Sequence, residues 1–281
     1  MATPVREANV KNAVGRHYGI SDLAGKIATS LRAAGKDLNR LATTDLAAID
    51  EFHIRGRKAT IELASKMEIG PGSHVLDIGS GLGGPARTLA EEHGCRVTGI
   101  DLSAEFCDAA QQMSRWVGLS DKVAFVPGDA TELPYEAGTF DGAMTMHVAM
   151  NIAAKDALYA GACRVLKPGC IFAVYDILQG EGGDVMYPVP WARDPSISHL
   201  ITRVEMRTLL EGAGFRIEAE EDSTEAGEAW FRQAASRMAA ASAPPVGLRQ
   251  FLGSDAAQMT LNQVRNLTER RIRTVTYICR S

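Results

Sequence analysis

The chain has 281 residues, of which 46% are hydrophobic and 23% charged, with a formal net charge of −4 at pH 7. This composition is typical of a globular protein with a sizeable core. The weakly acidic charge argues against nucleic-acid binding, and no apolar stretch approaches the ~20 residues of a membrane helix. The five cysteines are scattered and form no C-x-x-C pair, so neither a disulfide framework nor a zinc site is indicated, and the reducing cytoplasm is expected.

Residues 1–68 are predicted to form a helical N-terminal cap. Leu23, Ile27 and Leu31 fall on one face of a helix that Ser21 could cap. A second helix is predicted from residue 57 to 67, ending before a Gly-Pro-Gly turn.

Residues 69–281 are predicted to form one α/β domain, which begins with a strand, a glycine-rich turn and a helix. The strand, Val75 to Ile78, is apolar except for Asp77, as expected for a strand that is buried on both faces of a parallel sheet. Its turn contains four glycines, which would let a ligand approach the main chain closely. Pro85 suits the first turn of the following helix.

The domain continues as alternating strands and helices. Further strands are predicted over 96–101, 123–126, 142–146, 170–175, 215–220 and 274–279. Such repeats predict a parallel sheet with right-handed crossovers, whose ligand lies at the carboxyl ends of the strands. Asp77, Asp101, Asp129 and His147 all fall at or beside such ends.

Residues 179–201 interrupt this alternation and are predicted to form a lid or substrate loop. The segment is rich in glycine and proline, yet too apolar for a solvated linker. Tyr187, Trp191 and Arg193 are candidates for the acceptor side of a site, where aromatic faces could hold a cation or a flat ring. The alternative is a packed loop that Trp191 anchors.

Two interpretations of the glycine turn compete. Gly79, Gly81 and Gly84 match G-x-G-x-x-G, and Asp101 ends the next strand, as in a nicotinamide dinucleotide site. However, an acidic residue two positions before the first glycine resembles the first motif of the class I S-adenosylmethionine-dependent methyltransferases. Later segments resemble that family in the same order: Val97–Ser103, Pro127–Ala130, Phe140–Met146 and Arg164–Gly169. The resemblance is good over residues 50–180 and looser elsewhere.

This resemblance implies a Rossmann-like sheet of seven strands with helices on both faces, the last strand inserted antiparallel between the fifth and sixth. It also implies S-adenosylmethionine as cofactor and S-adenosylhomocysteine as product. Asp101 would bind both ribose hydroxyls, Asp129 the adenine amino group, and Asp77 the donor's ammonium group. The cofactor residues implied are Asp77, Gly79, Ser80, Gly81, Gly83, Asp101, Leu102, Asp129, Ala130, Thr145 and Met146.

On the acceptor side, the resemblance implies that His147 faces the transferred methyl group. There it could act as a base, or it could be a histidine that only shapes the pocket. Asn151 could orient the acceptor or cap the following helix. His53, near a glycine at the entry to the second helix, is a predicted contact, and Tyr18 is another if the N-terminal helix folds over the pocket. No metal dependence is indicated.

The sequence therefore predicts transfer of a methyl group to nitrogen or oxygen of a small molecule. Within the family it resembles the sarcosine and dimethylglycine, sugar O- and ubiquinone-type methyltransferases. The alternatives are carbon methylation of a small metabolite, an NAD(P)-dependent oxidoreductase, and a cofactor binder without turnover. The expected partner is a small molecule, without nucleic acid or membrane, and a homodimer is possible.

Overall fold

The computed structural model describes residues 22–240, 247 and 253–281. Tyr18 and Ser21, named above, lie outside these residues. The strands are β1 (His74–Ile78), β2 (Arg96–Asp101), β3 (Val123–Pro127), β4 (Phe140–Met146), β5 (Leu166–Gln179), β6 (Arg216–Asp222) and β7 (Ile272–Arg280).

These strands form one sheet in the order β3-β2-β1-β4-β5-β7-β6. The pairs from β3 to β5 are parallel, whereas β7 runs antiparallel to both β5 and β6. The predicted seven-stranded sheet, with its last strand inserted antiparallel, is confirmed. Because β1 to β5 are parallel, their carboxyl ends share one edge, where a ligand of such a sheet binds.

The helices in the described residues are α1 (Leu23–Ala33), α2 (Thr43–Asp50), α3 (Arg57–Ala64), α4 (Gly84–His93), α5 (Ala104–Trp116), α6 (Lys155–Val165), α7 (Arg203–Gly212), α8 (Thr224–Ala240) and α9 (Ala256–Thr268). Short 3₁₀ turns lie at Ala149–Asn151, Pro195–Ile197 and Gly253–Asp255. Leu76 and Ile78 enter one core cluster and Val75 the other, so both faces of β1 are covered. Alternate residues of a strand point to opposite faces, which explains the nearly unbroken apolar run.

Local sequence explains where several helices begin and end. Gly84 and Pro85 open α4, and Gly94, with φ 69°, ends it in the left-handed conformation that glycine adopts at low cost. Thr202 and Glu205 form the capping box of α7. The first helix is capped by Asp22, whose side chain accepts a hydrogen bond from the Gly25 amide over 3.3 Å. The prediction of Ser21 as this cap is therefore wrong, because the helix begins one residue later.

Two element boundaries also differ from the prediction. Helix α3 ends at Ala64 instead of residue 67. Strand β5 begins at Leu166, which pairs with Phe140, and its register then shifts before Ile171. Gly169 has φ 79° within this stretch, so the expected turn is present as an irregularity of the strand.

The N-terminal helices pack against the domain close to the glycine turn. Leu23, Ile27 and Leu46 share a core cluster with Phe106 and Met113 of α5. At the end of α2, Asp50 forms a buried ion pair with Arg87 of α4, with Oδ2 and Nη2 2.6 Å apart. The cap is thereby fixed to the helix that follows the turn.

Candidate active site

The glycine turn and the end of β2 are joined directly. The amides of Gly79 and Ser80 donate to the carbonyl of Ile100, over 2.8 and 3.1 Å. The Gly81 amide donates to Asp101 Oδ2 over 2.8 Å, and the Ser103 amide donates to Oδ1 over 3.0 Å. One donor on each oxygen orients the Asp101 carboxylate and leaves each oxygen further acceptor capacity.

The turn leaves space where a ligand could contact the backbone. Gly79, Gly81 and Gly83 all have positive φ, between 51° and 76°. A Cβ at Gly79 would lie 2.4 Å from Val148 Cγ2, and one at Gly83 2.3 Å from the Phe125 ring, so packing requires glycine there. A Cβ at Gly81 would meet no atom within 4 Å. Gly81 therefore faces open space beside Asp101, as the predicted cofactor site requires.

Several buried polar atoms near this edge have no hydrogen-bond partner within the described residues. They include Asp77 Oδ2, Ser80 Oγ, Thr145 Oγ1 and His147 Nε2. Buried polar groups are nearly always paired, so unpaired ones at a strand edge indicate a missing ligand or water. Asp77 is 2% exposed, and its pKa is raised to about 8 by burial and by repulsion from Asp101 and Glu51. A cationic group of a ligand would stabilise its ionised form.

The predicted adenine side lies after β3. Asp129 Oδ1 accepts hydrogen bonds from the Thr131 amide, over 2.8 Å, and from the Thr131 hydroxyl, over 2.7 Å. This is the turn role that competed with adenine binding at the sequence level. Leu102, beside Asp101, is 43% exposed at this end of the edge. Ala130 is partly buried and packs against the core.

His147 and His53 lie together at the end of β4. Their ring centroids are 6.0 Å apart, and the His147 ring also lies 4.8 Å from that of Tyr175. His147 has φ 54° and its amide donates to the Tyr175 carbonyl over 2.8 Å. Burial, followed by the neighbouring His53, lowers the pKa of His147 well below its usual range. Burial also lowers the pKa of His53 to about 4. Both imidazoles are therefore neutral at pH 7.

A polar network from the cap holds His53. Its Nε2 lies 2.9 Å from the Gly56 carbonyl and 3.1 Å from Thr60 Oγ1, which donates to Glu51 Oε2 over 2.7 Å. Thr88 of α4 donates to the other oxygen of Glu51 over 2.8 Å. Sequence analysis did not identify Glu51 or Thr60. An adjacent acidic pair, Asp50-Glu51, at the end of an apolar helix was the available signal.

The loop of residues 179–201 is packed on the protein by its aromatic residues. Trp191 is 1% exposed and its Nε1 donates to Ser198 Oγ over 3.0 Å, while Tyr187 packs beside the same cluster. Asn151 Nδ2 donates to the carbonyls of Trp191, over 2.9 Å, and Ile197, over 2.8 Å. These contacts agree with the alternative of a loop anchored by Trp191, and they commit the Asn151 amide donors to that loop.

Arg193 pairs with a residue outside this cluster. Its guanidinium pairs with Asp255 at the surface, where the Arg193 side chain is 53% exposed. In the described part of the chain, no group of three His, Cys, Asp or Glu side chains is arranged to hold a metal ion. Among the same residues, no helix is long and apolar enough to cross a bilayer.

Comparison with known proteins bears on this arrangement. A family model described as a methyltransferase domain matches residues 76–174, from β1 to β5. The chain therefore contains a methyltransferase domain. The chain is 30% identical over 171 residues to sterol 24-C-methyltransferase erg6 of Schizosaccharomyces pombe, covering 58% of this chain and 45% of that relative. It is 33% identical over 134 residues to methyltransferase GfsG of Streptomyces halstedii, covering 48% of each. The chain thus matches less than half the length of these relatives.

Solved structures resemble this chain over nearly its whole length. The [4+2]-cyclase SpnF is 25% identical, with a TM-score of 0.68 and 96% of both chains covered. Geranyl diphosphate C-methyltransferase of Streptomyces coelicolor A3(2), in complex with Mg²⁺, geranyl diphosphate and S-adenosylhomocysteine, is 17% identical, with a TM-score of 0.70 and 99% of this chain and 98% of that chain covered. The second likeness concerns the fold alone. The match of a methyltransferase domain to residues 76–174 favours the methyltransferase interpretation of the glycine turn over the dinucleotide one.

Proposed function

We propose that this chain binds S-adenosylmethionine at the glycine turn and transfers its methyl group to a small-molecule acceptor beside His147. The observation that carries the proposal is the Gly81–Asp101 hydrogen bond, which places open backbone next to an oriented carboxylate. Asp77 supports it, because its buried Oδ2 has no partner within the described residues. An edge with these two acidic side chains would bind hydroxyl groups and one ammonium group.

Each cofactor residue has a role that its environment suits. The Asp101 oxygens can each accept a further hydrogen bond, as two adjacent ribose hydroxyls would supply. Asp77 would pair with the ammonium group, and Asp129 with the adenine amino group. When bound, S-adenosylmethionine supplies an electrophilic methyl group on a sulfonium. The protein then contributes mainly by holding the acceptor in line with that methyl, which supplies several kcal/mol without a covalent intermediate.

Methylation at nitrogen or oxygen is the form that His147 favours. Its Nε2 is buried, lacks a partner within the described residues and belongs to a ring that is neutral at pH 7. The lone pair of a neutral imidazole can accept the proton of a hydroxyl or an ammonium acceptor, and the lowered pKa makes His147 a weaker base than a free imidazole. The left-handed backbone of His147 costs of order 1 kcal/mol and directs this ring, which supports a role in the site.

Carbon methylation is the second candidate. Relatives such as the sterol 24-C-methyltransferases are named for that reaction. In this chain, Glu51 is 7% exposed and its Oε2 lies 3.5 Å from His53 Nε2. Burial raises the pKa of Glu51, and in its ionised form this carboxyl group beside His53 could stabilise positive charge that develops on an alkene acceptor, although position 147 itself has no acidic residue.

A labelled methyl donor and three acceptor panels test these alternatives. The panels contain small amines, small alcohols and phenols, and isoprenoid or sterol alkenes. We expect labelled product from the amine or hydroxyl panel, and at least a hundredfold lower rate with His147→Ala for a hydroxyl acceptor. Product from the alkene panel alone, lost with Glu51→Gln and kept with His147→Ala, would establish carbon methylation instead. NAD protecting the protein against thermal unfolding, where the methyl donor does not, would contradict the methyltransferase proposal.

A further inference from the structure

Asp176, the only charged residue in the buried middle of β5, is bound to the turn that follows β4. The residue is 1% exposed. Its Oδ2 accepts a hydrogen bond from the Ala149 amide over 2.9 Å, and its Oδ1 accepts one from the Ile177 amide over 2.8 Å. Ala149 begins the 3₁₀ turn Ala149–Asn151. Asp176 therefore binds the backbone donor of Ala149 at the start of this turn, as a side-chain oxygen does at the start of a helix.

This contact is one of two that attach the same segment to β5. Two residues earlier, the His147 amide donates to the carbonyl of Tyr175 over 2.8 Å. Successive residues of β5 thus hold His147 through its backbone and Ala149 through a side chain. His147, in its left-handed conformation, lies between the end of β4 at Met146 and the attachment at Ala149. A change in either attachment would therefore be expected to turn its ring.

The turn also holds the loop of residues 179–201. Asn151 donates to the carbonyls of Trp191 and Ile197, and the His199 amide donates to the Met150 carbonyl over 2.7 Å. Lys155 Nζ bridges the carbonyls of Ile152 and His199. A displacement of the turn would therefore move the loop as well as His147.

We propose that Asp176 is a positioning residue for methyl transfer, which fixes through the 149–151 turn both the His147 ring and the loop at residues 191–199. This inference rests on the proposed function for its catalytic meaning, because His147 and the loop are the acceptor side of that proposal. Asp176 acts through the turn. Its carboxylate is enclosed by the backbone that it holds.

Protonation of Asp176 would weaken this attachment. Burial raises the pKa of Asp176 to about 6. The Ile177 and Ala149 amides and the Lys155 ammonium act in the opposite direction and lower it. Tyr159 of α6 also faces it, and its own pKa is raised by burial and by the Asp176 charge. The ionised carboxylate of Asp176 accepts hydrogen bonds from two amides. As the pH falls through about 6, it becomes a carboxylic acid, in which one oxygen carries a proton and acts as a donor. The attachment is expected to be strongest above pH 6.

Asp176→Asn tests the proposal, and Asp141→Asn is its matched control. Asp141 also accepts a backbone amide, that of His74 over 2.9 Å, but it does so at the opposite end of β4. Hydrogen exchange at pH 7 and the ring resonance of His147 are compared, and six histidines are few enough to assign. We expect Asp176→Asn to speed exchange at least tenfold in peptides over 147–152 and 189–199 and to shift the His147 resonance. Binding of S-adenosylhomocysteine should change less than threefold, and Asp141→Asn should affect neither region.

Unchanged exchange and an unchanged His147 resonance in Asp176→Asn would overturn the proposal, as would the same changes in Asp141→Asn. If Asp176→Asn does not fold, the same exchange measurement is made on Asn151→Ala. This variant should exchange faster over 189–199 and stay protected over 147–150. No change over 189–199 would then contradict the proposal. With an acceptor that turns over and with saturating S-adenosylmethionine, the fall of kcat/KM for the acceptor below about pH 6 should disappear in Asp176→Asn. The exchange and resonance measurements need no turnover, so failure of wild-type protein to bind S-adenosylhomocysteine would count against the proposed function alone.

Discussion

The backbone amide of Gly81 donates a hydrogen bond to the Asp101 carboxylate over 2.8 Å, joining the turn after β1 to the end of β2. The bond fixes the carboxylate beside the one glycine of the turn whose Cβ position is open. Two motifs that are separate in sequence thereby form a single ligand edge. The proposed cofactor site depends on this pair more than on any other contact.

Gly81→Ala should impair binding far more than folding. Gly81 has φ 51°, so a side chain there costs about 1–2 kcal/mol of strain, and its Cβ would project into the proposed site. Gly118→Ala is the matched control, because Gly118 has φ 70° and equally open surroundings but lies after α5. Urea unfolding should give similar losses of stability for both variants. Calorimetry should give at least tenfold weaker S-adenosylhomocysteine binding for Gly81→Ala only, and equal affinities would place the ligand elsewhere.

Binding should become tighter as the pH rises towards 8. The pKa of Asp77 is raised to about 8 by burial and nearby carboxylates, so in the unliganded protein the group is mostly protonated at pH 7. A ligand ammonium favours the ionised form, and affinity should rise by up to about tenfold per pH unit below pH 8. Titrations at pH 7 in buffers of different ionisation enthalpy should detect release of nearly one proton. Asp77→Asn should remove both effects, and a pH-independent wild-type affinity would contradict the assignment.

The same shift has an opposite effect on the unliganded fold. Because folded Asp77 binds its proton more tightly than the unfolded chain does, its contribution to stability falls as the pH rises from about 4 to 8. The contribution of His53 to stability instead rises with pH. Its pKa in the folded protein is lowered to about 4, so as the pH falls the unfolded chain takes up the proton first.

His53→Gln should therefore cost less stability in mild acid than at neutral pH. Glutamine can still donate to the Gly56 carbonyl, which His53 Nε2 contacts at 2.9 Å, but it takes up no proton. Between pH 7 and pH 5, the stability difference between wild type and variant should shrink by about 2 kcal/mol. Urea unfolding at the two pH values measures this change. A difference that stays constant would mean that His53 is not held neutral in the folded protein.

The strands of the sheet could be predicted from the sequence because each strand has its own local pattern of residues. Apolar runs or an alternating pattern predicted all seven strands, and the seventh was expected between β5 and β6 from family resemblance. The Asp77 and Asp101 positions followed from motif spacing. Their shared contact through Gly81 did not, because it depends on the conformation of the turn.

Contacts between distant segments were the part that sequence could not supply. Asn151 was expected to orient an acceptor or cap a helix, but its amide holds a loop some forty residues away in the chain, at Trp191. Arg193 was expected at the acceptor side, but it pairs with Asp255 at the surface. Asp176 interrupts a buried apolar strand as Asp77 does, and this signal could have identified it. Long-range pairing depends on how loops fold back, which no local pattern determines.

Calorimetric titration with S-adenosylmethionine and S-adenosylhomocysteine, on wild type and Asp101→Ala, tests the central proposal most directly. The proposal predicts micromolar binding of both ligands by wild type and at least a hundredfold loss in the variant, because two charge-assisted hydrogen bonds of about 1.5–3 kcal/mol each are removed. Gly118→Ala serves as the control for folding and should bind as wild type does. Binding of neither ligand by wild type, or undiminished binding by Asp101→Ala, would contradict the assignment of this edge as the cofactor site.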